Sequence, residues 1–177
     1  MIITDFDGTV CRLEIDWSEV RRLAGVTRVG ELWDRAEPAG WDVVTAAEVA
    51  AATVATPIPD VMELLAESLG YAVISNNSAD AVAAFLRRYP LLAARCRLVM
   101  GREELHGPKE DEARFADAYA RCLAALGVET DDVEYLGDQD YELVLAARCG
   151  ARVRRVSTSG VIEWLRGDGA DPVERDA

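Results

Sequence analysis

The chain opens MIITDFDGTV, and in that stretch Asp5 and Asp7 flank one phenylalanine ahead of Gly8 and Thr9. In an extended backbone, positions i and i+2 point to one face, so the two carboxylates are expected to converge at the C-terminal edge of a strand. Two carboxylates held so close repel unless a divalent cation or a proton shares them. Hard oxygen donors of this kind suit Mg²⁺, and Gly8 permits the sharp turn that keeps such a site open. Three later groups accompany the pair: Ser75-Asn76-Asn77, Lys109, and the acid-rich Gly137-Asp138-Gln139-Asp140-Tyr141-Glu142. Singly, each has a bland use, as a turn cap, a solvated amine or a helix cap. Together they place a hydroxyl, an amine and a second acid cluster in order behind the first pair. His106 is the only histidine, which leaves little material for a Ser-His or Cys-His nucleophile or a Cys/His zinc site. If the chain is an enzyme, carboxylates do its chemistry.

The elements that must position these groups can be read from short apolar runs at 1–6, 71–75, 97–100, 133–137 and 151–157, rich in β-branched residues. Helical patterns separate the later ones. Over 110–126, Phe115, Tyr119, Cys122, Leu123 and Leu126 follow an i, i+4, i+7, i+8, i+11 spacing before Gly127. Residues 60–69 end at Gly70 in the same way, and 79–88 begins behind the N-cap candidate Ser78 and stops before Pro90. Continuous apolar strands alternating with helices predict an α/β fold, a Rossmann-like parallel sheet of about five strands with helices on both faces. Each chemical group then falls at or just beyond a strand end, where open α/β sheets bind ligands.

Residues 11–58 interrupt the alternation. They carry helix-like stretches around 17–23, 29–36 and 45–54 and are expected to form a small α-helical insertion after the first strand, leaving 1–10 and 59–166 as the core and 167–177 as a polar tail. Trp17, Trp33 and Trp41 lie in this insertion with Arg12, Arg21, Arg22, Arg28 and Arg35. The tryptophans either fill its miniature core or line a pocket. A chain of 177 residues, half of them hydrophobic, can bury a sizeable core, and 32 acids against 19 bases give a net charge of −13. That charge argues against nucleic acid and anionic membrane surfaces as partners, though a local cation can still admit a small anion. The four scattered cysteines, Cys11, Cys96, Cys122 and Cys149, form no metal-type spacing and suit a reduced, cytoplasmic setting. The N-terminus lacks a secretory pattern, and no run approaches the roughly 18 apolar residues that span a bilayer.

DFDGTV, ISNNS, the GPK ending at Lys109, and LGDQDYELVLAARCGA resemble, in order, the four motifs of the haloacid dehalogenase superfamily, across residues 1–157. The resemblance implies that Asp5 is a nucleophile forming an aspartyl-phosphate and that Asp7 gives and then takes a proton. It implies Mg²⁺ held by the side chains of Asp5 and Asp138 and the backbone carbonyl of Asp7. Ser75 and Lys109 would bind phosphoryl oxygens, Thr9 and Asn76 would assist with substrate, and Glu142 would support the metal's water shell or orient Lys109. Asp7 selects the phosphatase and phosphomutase branch, since dehalogenases proper lack an aspartate there. The implied protein is a Mg²⁺-dependent phosphatase of a small phosphorylated metabolite, monomeric or homodimeric, with the insertion as a cap. A phosphomutase and a phosphoryl-accepting receiver domain are the alternatives. The chain departs from the pattern at Glu110, where many relatives have proline, at Glu142, where most have aspartate, and in its short cap. Arg102 and His106, in the loop of Lys109, are expected at the surface or else in contact with substrate, and Cys11 is expected as a small core filler.

Overall fold

The computed structural model describes residues 1–35 and 38–164, so the tail expected at 167–177 lies outside the described residues, as does Ala36 of the stretch 29–36. Strand β1 (Ile2–Thr4) leads through a turn to the short β2 (Cys11–Arg12). Next come α1 (Trp17–Ala24), a 3-10 turn at Val29–Asp34, α2 (Ala39–Val54) and β3 (Thr56–Pro57), which pairs antiparallel with β2 and closes the insertion at its base. The chain then alternates through α3 (Pro59–Glu67), β4 (Tyr71–Ile74), α4 (Ala79–Leu86), α5 (Pro90–Arg95), β5 (Cys96–Met100), α6 (Arg102–Leu105), α7 (Glu112–Leu126), β6 (Glu134–Gly137), α8 (Asp140–Arg148), β7 (Arg152–Val156) and β8 (Ile162–Trp164).

The main sheet runs β5-β4-β1-β6-β7-β8. Its first five strands are parallel and are the five the apolar runs predict; β8 joins antiparallel to β7 at the edge. The sixth strand is three residues long, too short for an alternation to show in the sequence. Successive strand residues serve opposite faces, as the pleat requires. Ile2, Tyr71, Val73 and Leu136 meet Val61, Leu65, Val82 and Phe85 of α3 and α4 on one side. Ile3, Ala72, Ile74 and Tyr135 meet Phe115, Tyr119, Cys122 and Leu143 of α7 and α8 on the other. The helix signals act as predicted at several ends: Ser78 Oγ accepts from the Ala81 amide, and Gly127 closes α7 in the left-handed conformation. Among the described residues, no helix is long and apolar enough to cross a membrane.

The insertion differs from expectation in two respects. Helix α2 begins at Ala39, well before residue 45, because Pro38 opens it with φ fixed near the helical value. The base of α2 also belongs to the core: Ala51, Ala52 and Ala55 pack into the cluster under the sheet, while Val20, Leu32 and Val44 form a separate small core farther out. The boundary at residue 58 therefore runs through shared packing.

Candidate active site

Strand β1 sits at the middle of the sheet, where the chain departs toward β4 on one side and β6 on the other. This is the switch point at which the loops diverge and leave a crevice beyond the strand ends. The Asp5 amide donates to the Leu136 carbonyl at 2.9 Å, anchoring the first acid beside β6. The strand stops at Thr4, so the pleat does not carry through to Asp7. A turn does so instead, in which the Phe6 carbonyl accepts from the amides of Thr9, Val10 and Cys11. Gly8 occupies it at φ +83°, and a Cβ there would lie 2.6 Å from Asp138 Oδ2, so neither the conformation nor the approach of the two loops tolerates a side chain. Asp7 Oδ1 accepts from the Leu13 amide at 2.8 Å. Burial raises the Asp7 carboxyl to about 6, with the charges of Asp5 and Asp138 pushing the same way.

Lys109 reaches this crevice from the loop after β5 and is fully enclosed. Its Nζ donates to Asp5 Oδ1 at 2.7 Å and to Glu142 Oε2 at 2.5 Å. Burial opposes its charge, but the two carboxylates outweigh burial and hold its pKa above the ordinary lysine value. Glu142 is itself buried, and each oxygen has work: Oε1 accepts from the Gln139 amide at 3.0 Å, and Oε2 accepts from Lys109 and from Tyr135 Oη at 3.2 Å. Close packing against Gly137, where a Cβ would lie 2.2 Å from Oε1, lets the longer acid fit beneath β6. Of the two roles implied for Glu142, orienting Lys109 is the one its contacts match.

The loop after β4 forms the third wall. Ser75 Oγ donates to Asn77 Oδ1 at 3.0 Å and accepts from the Asn77 amide at 3.2 Å. Asn76 Oδ1 accepts from the Lys109 amide at 2.8 Å, and its Nδ2 donates to Glu110 at 3.2 Å. Both ends of the Asn76 amide tie loop to loop, while the residue still lines the cavity. Glu110, in place of the usual proline, supplies one of those ties. Thr9 departs from a substrate role: it is wholly buried, and its hydroxyl donates to Asp138 Oδ1 at 3.5 Å. Asp138 is partly exposed, and burial followed by the charge of Asp5 raises its pKa.

Arg102 is the largest correction. Far from lying at the surface, it is 3% exposed, and its Nη1 donates to Glu48 of α2 at 2.9 Å and to the Asn76 carbonyl at 3.2 Å. Its Nη2 donates to Thr45 Oγ1 at 2.7 Å. Glu48 in turn accepts from Asn77 Nδ2 at 3.2 Å and from the Ser78 amide at 2.9 Å. This buried ion pair fastens the insertion to the serine-bearing loop, and the sequence reading passed over Glu48. Its signal was present: Val44, Glu48, Ala51 and Ala52 fall at i, i+4, i+7 and i+8, all on the buried face of α2. His106 is exposed, as expected, and Cys11 is fully buried.

These walls enclose a cavity of about 830 Å³ that Asp5, Asp7, Ser75, Lys109 and Asp138 line from below and Trp17, Trp33 and Trp41 from above. Oxygen atoms of Asp5, Asp138 and Glu142 lie within 4.8 Å of one another, as a metal site requires. With both Glu142 oxygens engaged, Asp5 and Asp138 are the side chains best able to ligate a hard cation, which matches Mg²⁺ in donor chemistry.

The sequence matches no family model and no curated protein. Several solved structures share the fold. The L-2-haloacid dehalogenase of Xanthobacter autotrophicus with chloropropionic acid covalently bound has a TM-score of 0.61 at 20% identity, over 88% of this chain and 76% of that one. A protein of Lactobacillus plantarum provisionally named a phosphoglycolate phosphatase also scores 0.61, at 14% identity over 86% and 83%. A haloacid dehalogenase-like hydrolase of Bacteroides fragilis, so assigned provisionally, scores 0.59 at 17% identity over 89% and 87%. The chain thus has the fold of the haloacid dehalogenase superfamily, as the motif resemblance implied.

Proposed function

We propose that the chain is a Mg²⁺-dependent phosphomonoester hydrolase that acts on a small phosphorylated metabolite through an aspartyl-phosphate on Asp5. The observation that carries this reading is the position of Asp7, a second carboxyl that lines the same cavity as Asp5, is held by the Leu13 amide at 2.8 Å, and is pushed by burial toward its protonated form. A departing halide is a stable anion and needs no proton, whereas a departing alkoxide does. A proton carrier beside the nucleophile therefore favours ester hydrolysis over the dehalogenation performed by one of the similar structures.

Asp5 Oδ1 is held by Lys109, so the other carboxylate oxygen is the one to attack phosphorus. As the phosphorus–oxygen bond to the leaving group breaks, Asp7 donates its proton to that oxygen. Lys109 binds the phosphoryl oxygens and offsets the charge that gathers there, with Glu142 fixing its direction, and the Ser75 hydroxyl joins it by turning its proton from Asn77 Oδ1 to a phosphoryl oxygen while still accepting from the Asn77 amide. Asp7, now ionised, takes a proton from the water that attacks the acyl-phosphate, and inorganic phosphate and free Asp5 result. Mg²⁺ bound by Asp5 and Asp138, with the Asp7 carbonyl, would offset the charge of the acids and of the phosphoryl group. A phosphomutase would return the phosphoryl group to substrate. A receiver domain would carry its acceptor on a later strand, whereas here the candidate nucleophile directly follows β1.

The test is phosphate release from a panel of phosphate esters with and without Mg²⁺, with Asp5→Asn as the blank. Phosphate release that needs both the ion and Asp5 supports the reading. Chloride release from 2-chloropropionate with no phosphate release from any ester would replace it with a dehalogenase.

A further inference from the structure

The part of the cavity away from the acids differs from the part beside them. Trp17, Trp33 and Trp41 are each half-buried and each line it, and Tyr141 joins them from the head of α8. Trp17 and Trp41 also pack against the insertion's small core of Val20, Leu32 and Val44, whereas Trp33 has no place in that core, so each ring is anchored or presented with part of its surface left on the cavity. Trp33 and Trp41 lie with ring centroids 4.6 Å apart at 57°, and the Arg102 guanidinium stands 4.4 Å from the Trp41 ring centroid. Arg102 has only a few degrees of freedom, since Glu48 and Thr45 hold it, so the Trp41 ring has a fixed backing. Half-buried indoles facing one cavity have apolar area still in contact with solvent, and a planar ligand would cover it.

Charge narrows the ligand further. Of the cations on this cavity, Lys109 is neutralised by Asp5 and Glu142, Arg102 by Glu48, and Arg28 lies 3.7 Å from Glu31. Asp34 and Glu110 add negative charge to the same wall. Among the described residues, each cation on this cavity already faces a carboxylate, Lys109 is the one the phosphoryl group would use, and a carboxylate on the leaving group would meet Asp34 and Glu110.

Building on the phosphatase reading, we infer that the substrate is a phosphomonoester whose leaving group is a planar aromatic ring system without negative charge, seated against Trp17, Trp33 and Trp41. The phosphoryl group would sit on Asp5, Ser75 and Lys109, and the insertion would select what is attached to it.

A matched pair of esters tests this. Benzyl phosphate and cyclohexylmethyl phosphate carry rings of similar size on alcohols of similar acidity, one planar and one not. The expected kcat/KM ratio favours benzyl by about tenfold, the size of a favourable aromatic contact. The ratio should fall toward one in Trp33→Leu and hold in Trp164→Leu, whose indole stands on β8 away from the cavity, with thermal midpoints confirming that both fold. A ratio near one in the unaltered protein, or faster turnover of 2-phosphoglycolate than of benzyl phosphate, would overturn the inference. Binding of benzylphosphonate and cyclohexylmethylphosphonate to Asp5→Asn, read by tryptophan fluorescence, separates this inference from the one beneath it. If no ester is hydrolysed yet benzylphosphonate still binds about tenfold tighter, the aromatic site stands and the phosphatase reading falls; if the two phosphonates bind equally, the aromatic site falls whatever the enzyme hydrolyses.

Discussion

The strand ends of the core and the insertion above them are built on opposite plans. Below the cavity, Lys109, Glu142, Asn76 and Asn77 are each held by two or more named partners, most of them buried. Above it, a small core of Val20, Leu32 and Val44, against which Trp17 and Trp41 pack, carries three half-buried indoles. Charge stabilisation demands donors fixed in place before the reaction, because donors that must reorganise lose most of their advantage. Recognition of an apolar leaving group rests on area and tolerates slack. A buried ionic link between the two plans is the Glu48–Arg102 pair, which joins α2 to the serine loop and backs Trp41.

The sharpest break of that comparison is Asp5→Asn. On the rigid side, loss of the proposed nucleophile should lower phosphate release by at least about 10⁴-fold, with folding intact by circular dichroism. A residual rate above about a hundredth of the unaltered one would remove Asp5 from that role. Next is the link itself. Arg102→Ala strands the Glu48 charge in the interior and should cost about 3–5 kcal/mol in urea unfolding, whereas the double change Glu48→Leu with Arg102→Met should cost much less than the two single changes summed. Additive costs would mean that the pair does not act as a unit.

Asp7→Asn follows, with an expected loss of about 10²–10⁴ on alkyl phosphates and a smaller one on 4-nitrophenyl phosphate, whose leaving group needs little help from a proton. Its stability should move in the opposite direction. Burial raises the folded pKa of Asp7 to about 6, so the native state holds a proton that the unfolded chain has already released, and stability falls as pH rises between the ordinary aspartate value and 6. With divalent ions chelated, Asn in place of Asp7 should therefore raise the thermal midpoint at pH 7.5 by more than at pH 4, on the approximate scale these pKa values set. An equal shift at both pH values would contradict the buried acid. The smallest effect is expected at Asp138: Asp138→Ala should raise the Mg²⁺ concentration for half activity by about tenfold or more, and an unchanged requirement would take Asp138 out of the metal site.

Local patterns made much of the scaffold legible. The five parallel strands and helices α4 and α7 announced themselves through apolar runs, through i, i+4, i+7 spacing, and through Ser78 and Gly127 at their ends. These signals are short-range, set by a period of two or of 3.6 and by backbone groups that need partners within a turn or so. The candidate site was legible as a set of types in order, because Asp5, Ser75, Lys109 and Asp138 each fall beyond a strand that must be parallel to its neighbours.

What the sequence could not decide is which of its polar groups face each other. Lys109 meets Asp5 across 104 positions and Arg102 meets Glu48 across 54, and no periodicity records a contact so distant. A charged residue reads as surface until a partner is found for it, since burying a lone charge is too costly to expect. Arg102 was therefore assigned outward, Asn76 and Thr9 toward a ligand, and Glu48 nowhere, until the folded chain brought their partners to them. The order of the chain determined which residues stand at the strand ends. Only the packing of α2 against the loop after β4 determined which of them remain free to meet a substrate, because an unsatisfied buried polar group is resolved by its neighbours in space and not by those in sequence.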